Sequence, residues 1–376
     1  MRVVALVAGL LIIAIDWGAL IATFVVPRGH SFFQRLSSFV IFSVYQVFVW
    51  SSHLLSDFEA KDGLLAAAGA IALVVQLITF LAAFLFGFAL ALIPWAHSFP
   101  VAVRQSAASL FIVGLAHVQS NTNEFLIVAA AVSGAIAIAM QIGYLPVIYQ
   151  SFAARETLVT LMESRAGIPA WGPEVLIRHE LVATLDALPA FYQSWELWSA
   201  DLAESHGTYP VLNLFRSPVA GDSWVLSLLA VMDAAALHLA LDPDSAPSEA
   251  RLCLRMGFTA LRRVARTLRW PFDKDPLPEA PIELTYDEFA QAVEQLQDVG
   301  FPIERTTEEA WPQFRGWRVN YEALAYRFAD FLITPHAPWS GTRRHLPPSL
   351  VPPARPPHRT PGGGTIDQYR FRPPQS

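Results

Sequence analysis

The sequence predicts an all-α integral membrane protein with about three spans, a short re-entrant loop and a helical water-facing domain. Three observations lead there. Gly63 to Val103 contains no Asp, Glu, Lys or Arg, and neither does 125–154. Each run exceeds the ~20 apolar helical residues needed to cross a bilayer core. Charge is also divided sharply along the chain. Of 26 basic and 32 acidic residues, only five of each lie in 1–150. Finally, a short apolar stretch, Ser109 to Ala116, lies in the polar interval between the two charge-free runs.

Taken in chain order, Val3 to Val26 is apolar except for Asp16. It is longer than a signal-peptide core, and no small-x-small cleavage site stands out, so it reads as a span. Leu64 to Trp95 is a second span, longer than the core is thick. Phe125 to Gln150 is a third. Phe39 to Trp50 is apolar but short and contains Ser43, Tyr45 and Gln46. It reads as an interfacial helix, with a fourth span as the alternative. Basic residues gather near the cytoplasmic ends of spans. Arg28, Arg35 and Lys61 precede the second span, and Arg155 and Arg165 follow the third. Both sets fall inside if the N-terminus is outside and the C-terminal domain is in the cytoplasm of a cell with an inner membrane.

Pro94-Trp95 closes the second span, and Pro100 precedes a predicted short helix over Val101 to Phe111. That helix leads into Ile112-Val113-Gly114-Leu115-Ala116-His117. Non-helical backbone at membrane depth is tolerated where it is buried or lines water. Rings of backbone carbonyls there can replace an ion's hydration shell. One loop supplies one side of such a ring, so four copies are required.

The chain resembles bacterial potassium-channel-like proteins of the two-pore-domain type, in which two spans flank one pore loop. Their filter reads roughly Thr-Val-Gly-Tyr-Gly-Asp. Here Val113 and Gly114 match outright, while Ile112 lacks the threonine hydroxyl, Leu115 stands at the aromatic position and His117 at the aspartate. Ala116 stands at the second glycine and does not enter positive φ freely. The likeness continues through Gly143-Tyr144-Leu145-Pro146-Val147, Glu163-Ser164-Arg165-Ala166-Gly167, Tyr209-Pro210-Val211-Leu212, Gly316-Trp317-Arg318 and Ala337-Pro338-Trp339-Ser340. It covers about 60–340. It implies a homotetramer, monovalent cations as the permeant class and a non-standard filter; potassium selectivity does not follow from it. A membrane-anchored sensory or interaction protein that keeps the scaffold without conducting is the alternative.

Gly134, Gly143 and Pro146 lie in the third span. Proline removes a helical hydrogen bond and kinks a helix, so Leu145-Pro146-Val147 is a candidate gate hinge. Asp16 is the acidic residue deep in a span, and such a residue is a functional candidate by default. It is expected to pair with Gln76 or Thr79, or to stand protonated or snorkelling.

The chain divides into 1–62, a channel module over 63–152, a helical cytoplasmic domain over 153–335 and a Pro/Arg-rich tail over 336–376. Within the domain, helices are predicted over 174–204 (kinked at Pro189), 222–241 (with Asp222 as N-cap) and 248–268. Thr285-Tyr286-Asp287-Glu288 and Thr306-Thr307-Glu308-Glu309 read as capping boxes. They open predicted helices near 286–298 and 307–333. Six arginines between Arg251 and Arg269 make one helix basic. A net charge of −6 argues against a nucleic-acid partner, and membrane lipid is the expected environment. Cys253 is the single cysteine and allows no intrachain disulfide. His179, His206 and His238 show no metal spacing, and no phosphate loop or nucleophile elbow is present, so neither cofactor nor enzymatic activity is expected.

Overall fold

The computed structural model describes residues 2–25, 32–112 and 121–343. Among them there is no strand. The chain forms two compact units, each built from several segments. The first gathers the N-terminal residues through Ser52, Leu64–Ser151 and Thr208–Phe215; the second gathers His53–Gly63, Phe152–Gly207 and the chain from Arg216 on. The partition departs from the predicted 62/63 boundary and from the continuous domain 153–335. Residues 53–63 belong to the second unit, and 208–215 belong to the first.

In the first unit lie α1 (Arg2–Phe24), α2 (Phe32–Ser52), most of α3 (Phe58–Leu92), α4 (Phe99–Leu110) and the larger part of α5 (Asn121–Ala166). By length and apolarity α1, α2, α3 and α5 are all able to cross a membrane. The faces of α2 are mixed: Gln34, Ser37, Ile41, Tyr45 and Ser52 are buried, while Phe39, Val47 and Trp50 are exposed together with Arg35, Ser43 and Gln46. The helix is also nine residues longer than the predicted 39–50 stretch. Gln34, Arg35, Ser37 and Ser38 interrupt the apolar run but continue the helix.

α1 packs antiparallel to α3. Gly9 lies against Gly87 and Ala91, Ile13 against Gly87, Trp17 against Phe84 (5.7 Å) and Phe24 against Phe80 (6.0 Å). A Cβ on Gly9 would lie 2.5 Å from the Gly87 carbonyl oxygen, so glycine is what lets the two backbones touch. α1 runs parallel to α5: the Trp17 indole donates to Ser133 Oγ (3.2 Å), and Phe24 meets Tyr144 (5.0 Å).

The second unit is built around α8 (Trp224–Leu241), every residue of which is buried. It too is apolar enough to span a bilayer. Here it is enclosed by protein: α6 (Gly172–Leu181), α9 (Ser248–Thr267), α11 (Thr307–Arg318) and α12 (Glu322–Phe331) surround it. A helix apolar on all sides belongs either in lipid or in a core, and the neighbours make this one a core helix. α9 presents Ala250, Cys253, Leu254, Ala260, Leu261 and Val264 to the interior. Its arginines Arg251, Arg255, Arg263 and Arg266 are exposed, as is Arg269 just beyond its end. Arg262 bonds Asn320 Oδ1 (3.1 Å), with its guanidinium over Phe258.

Local signals locate some helices better than others. α10 (Tyr286–Asp298) has the predicted bounds, and both capping boxes form. The predicted helix 174–204 is two helices, α6 and α7 (Leu188–Thr208), joined through a 3₁₀ turn at Leu185–Ala187. Pro189 sits in the first turn of α7, where its missing N–H has no helical partner to lose, and so it kinks nothing. The predicted helix 307–333 breaks between α11 and α12. The N-cap position of α8 is held by Ser223, not Asp222. Asp222 instead shares a hydrogen bond with Glu163, and burial together with that neighbouring carboxylate pushes its pKa up to about 7. Packed chain continues to Arg343, beyond the predicted start of the tail at 336. The Arg343 guanidinium is buried and donates to the carbonyls of Thr334 (3.1 Å), Pro335 (3.1 Å) and Ser340 (2.6 Å).

Candidate functional site

The helix at the position predicted to be re-entrant is α4. Pro100 occupies its first turn, pre-set for a helix. Its buried face carries Ala102, Gln105, Ser106, Ala108, Ser109 and Leu110, while Phe99, Pro100 and Arg104 are exposed. Ser106 Oγ donates to the Leu85 carbonyl of α3 (2.9 Å), and Ser109 Oγ donates to the Gln105 carbonyl (2.9 Å). Small side chains with hydroxyl anchors let a short helix seat among longer ones, although the buried Gln105 Oε1 there meets no donor.

The end of α4 is sharply defined. The Phe111 N–H bonds Ala107 O (3.0 Å), and the Ile112 N–H bonds Ser109 O (3.0 Å). Ile112 then takes φ = 57°, the left-handed conformation that normally ends a helix at glycine. A β-branched residue there is strained by about 1–2 kcal/mol. Such strain is concentrated at functional positions. Ile112 is also 70 % exposed. Of the predicted filter, Ile112 is the residue within the described chain; Val113, Gly114, Leu115, Ala116 and His117 lie outside it.

Opposite this turn stands Gly134 of α5. An added Cβ would fall inside contact distance of the Leu110 carbonyl oxygen. The glycine therefore serves as a seat for the C-terminal end of α4. In the sequence Gly134 groups with the hinge candidates; its partner Leu110, 24 residues upstream, leaves no local signal. We expect Gly134→Leu to displace α4 and destabilise the unit by about 1–3 kcal/mol, as overpacking does. Thermal unfolding of the purified protein in detergent measures it, and an unchanged midpoint would rule the seat out.

Gly143 is different. A Cβ there would meet nothing within 4 Å, so no packing reason holds that position as glycine. Pro146, three residues on, is exposed and lies inside a helix that continues unbroken to Ala166.

Asp16 is 5 % exposed, and its Oδ2 has no hydrogen-bond partner. The expected pairing with Gln76 or Thr79 does not occur. The Gln76 amide donates to Ser37 Oγ of α2, and Thr79 Oγ1 donates back to the Val75 carbonyl (2.7 Å). Glu124 at the start of α5 is exposed. Among the described residues no three His, Cys, Asp or Glu side chains gather as a metal site. Comparison with protein-family models, with curated proteins and with solved structures returned no match.

Proposed function

We propose that this chain is one subunit of a channel-like membrane protein whose pore is formed by four copies and passes monovalent cations. The observation that carries the reading is the end of α4. A short helix is seated between two long apolar ones, its last carbonyl is pressed on Gly134, and the chain turns abruptly at Ile112. The C-terminal end of a helix carries partial negative charge, which favours a cation beyond it. In this reading α1, α3 and α5 cross the membrane and α2 does not. Three successive crossings by α1, α2 and α3 would leave α1 parallel to α3, whereas the two are antiparallel. The N-terminus then lies outside, and the second unit lies in the cytoplasm beneath the inner membrane. Gly143 and Pro146 of α5 are the hinge candidates of that pore.

The second reading is a membrane-anchored sensory protein that keeps this scaffold without conducting. The absence of a hydroxyl at Ile112 and of a glycine at Ala116 favours it. Ion flux from proteoliposomes, K⁺ against Na⁺, separates the two. We expect cation flux that Gly114→Asp abolishes. Absence of flux across a range of pH and voltage would favour the anchored sensor.

A further inference from the structure

We propose that Asp16 is a proton-binding site of the membrane unit, carried as a neutral carboxylic acid while α1 is seated against α3. Asp16 is the fifteenth residue of a 23-residue apolar helix, so both ends of the span are far from it. Gly9 lies two turns earlier on the same side of α1, in backbone contact with α3. The carboxyl is thus placed on the packed side of the helix, and Oδ2 meets no donor.

Among the described residues no charge is placed to compensate an anion there. α3 carries none from Gly63 onward, and α5 carries none over 125–154. Arg35 of α2 and Arg104 of α4 are exposed, and Arg2 begins α1 fourteen residues away. An isolated carboxylate without donors in such surroundings is far more costly than the neutral acid. The bound ligand is therefore a proton on one carboxyl oxygen. On release it passes to water, leaving the carboxylate, and water reaches that oxygen only when α1 lifts from α3. Proton release and the unseating of α1 are then one event, and a rise in pH favours the unseated state. Proton binding at Asp16 does not require that the protein conduct ions.

The test uses the full chain in lipid, with Asp16→Asn as the neutral isostere. In the infrared difference spectrum of wild type minus D16N at neutral pH, a positive protonated-carboxyl band is expected, above the contribution that Asp222 and Asp233 make to both. The wild-type melting temperature should fall relative to D16N, by roughly 3 °C or more, as the pH rises from about 6 to about 9. Asp16→Glu keeps the acid and should keep both signals, which guards against a D16N variant that assembles poorly. An unchanged carboxyl band, or melting curves that stay parallel across that range, would overturn the proposal.

Discussion

Arg318→Met is expected to cost the second unit about 3–5 kcal/mol, enough to remove much of the stability of an ordinary domain. Arg318 is completely buried. Its guanidinium meets Asp233 of α8 (2.5 Å) and Glu322 of α12 (2.6 Å). It also donates to the Tyr326 hydroxyl (2.9 Å) and the Trp339 carbonyl (2.7 Å). Asp233 accepts further from the Tyr321 hydroxyl (2.8 Å), and Glu322 accepts from the backbone N–H groups of Glu283 and Leu284. One cation therefore ties α8, α11, α12 and the chain near Trp339 together. The pair is not itself a source of much stability. Burial pushes the Asp233 carboxyl up to about 6 although Arg318 pulls it down, so desolvation outweighs attraction. Removing the cation alone is what harms the fold, because it leaves two buried carboxylates uncompensated. The double variant R318M/D233N should accordingly be more stable than R318M. Urea unfolding followed by near-ultraviolet circular dichroism gives both numbers. A loss below about 1 kcal/mol for R318M would show that water reaches the cluster.

How much of this architecture was legible follows from how local each signal is. The caps at Thr285 and Thr306 are encoded within four residues, and α10 could be read to its ends. α3 and α5 announce themselves through charge-free runs, and α1 through an apolar run broken by Asp16. The start of α2 is hidden because Gln34, Arg35, Ser37 and Ser38 break the apolar run, and the partner of Ser37, Gln76, lies 39 positions away in the chain. The breaks at 182–184 and 319–321 carry no Gly or Pro to mark them. The ordered stretch through Arg343 hides inside a proline-rich composition, since a single arginine bonded to nearby carbonyls holds it. At the candidate site, the predicted short helix is there as α4, but the Leu110–Gly134 seat is a tertiary contact that spacing does not disclose. Ile112 shows the converse. The sequence offers isoleucine at a helix end where glycine is usual, and the structure places it in the left-handed region regardless.

Arg155 repeats the logic of Arg318 at the start of the segment that α5 contributes to the second unit. The guanidinium is 1 % exposed, pairs with Glu156 (2.6 Å) and lies over the Phe152 ring at 5.2 Å. Its Nη1 is 3.1 Å from His206 Nε2. An arginine has only donors, so Nε2 must be the acceptor and the imidazole must be neutral, with its proton on Nδ1. That proton faces Ser205 Oγ (3.0 Å), whose own hydroxyl donates to the Asp201 carbonyl (2.8 Å). Burial, reinforced by the Arg155 charge, holds the His206 pKa well below the ordinary imidazole value. The sign of the pH dependence follows. Between the depressed folded value and about 6.5 the unfolded chain binds the extra proton, so this contribution to stability is complete above about 6.5 and is lost as pH falls. Arg155→Met should therefore do two things. It should cost about 3–5 kcal/mol, because Glu156 is left buried without its partner. It should also flatten the acid limb of the stability profile, because His206 loses the neighbouring cation that opposes its protonation. His206→Gln, which still offers Arg155 an acceptor, should flatten the same limb at much smaller cost. If the acid limb keeps its slope in His206→Gln, another group sets it; if Arg155→Met is tolerated, the Glu156 carboxylate is solvated and the clamp is not structural.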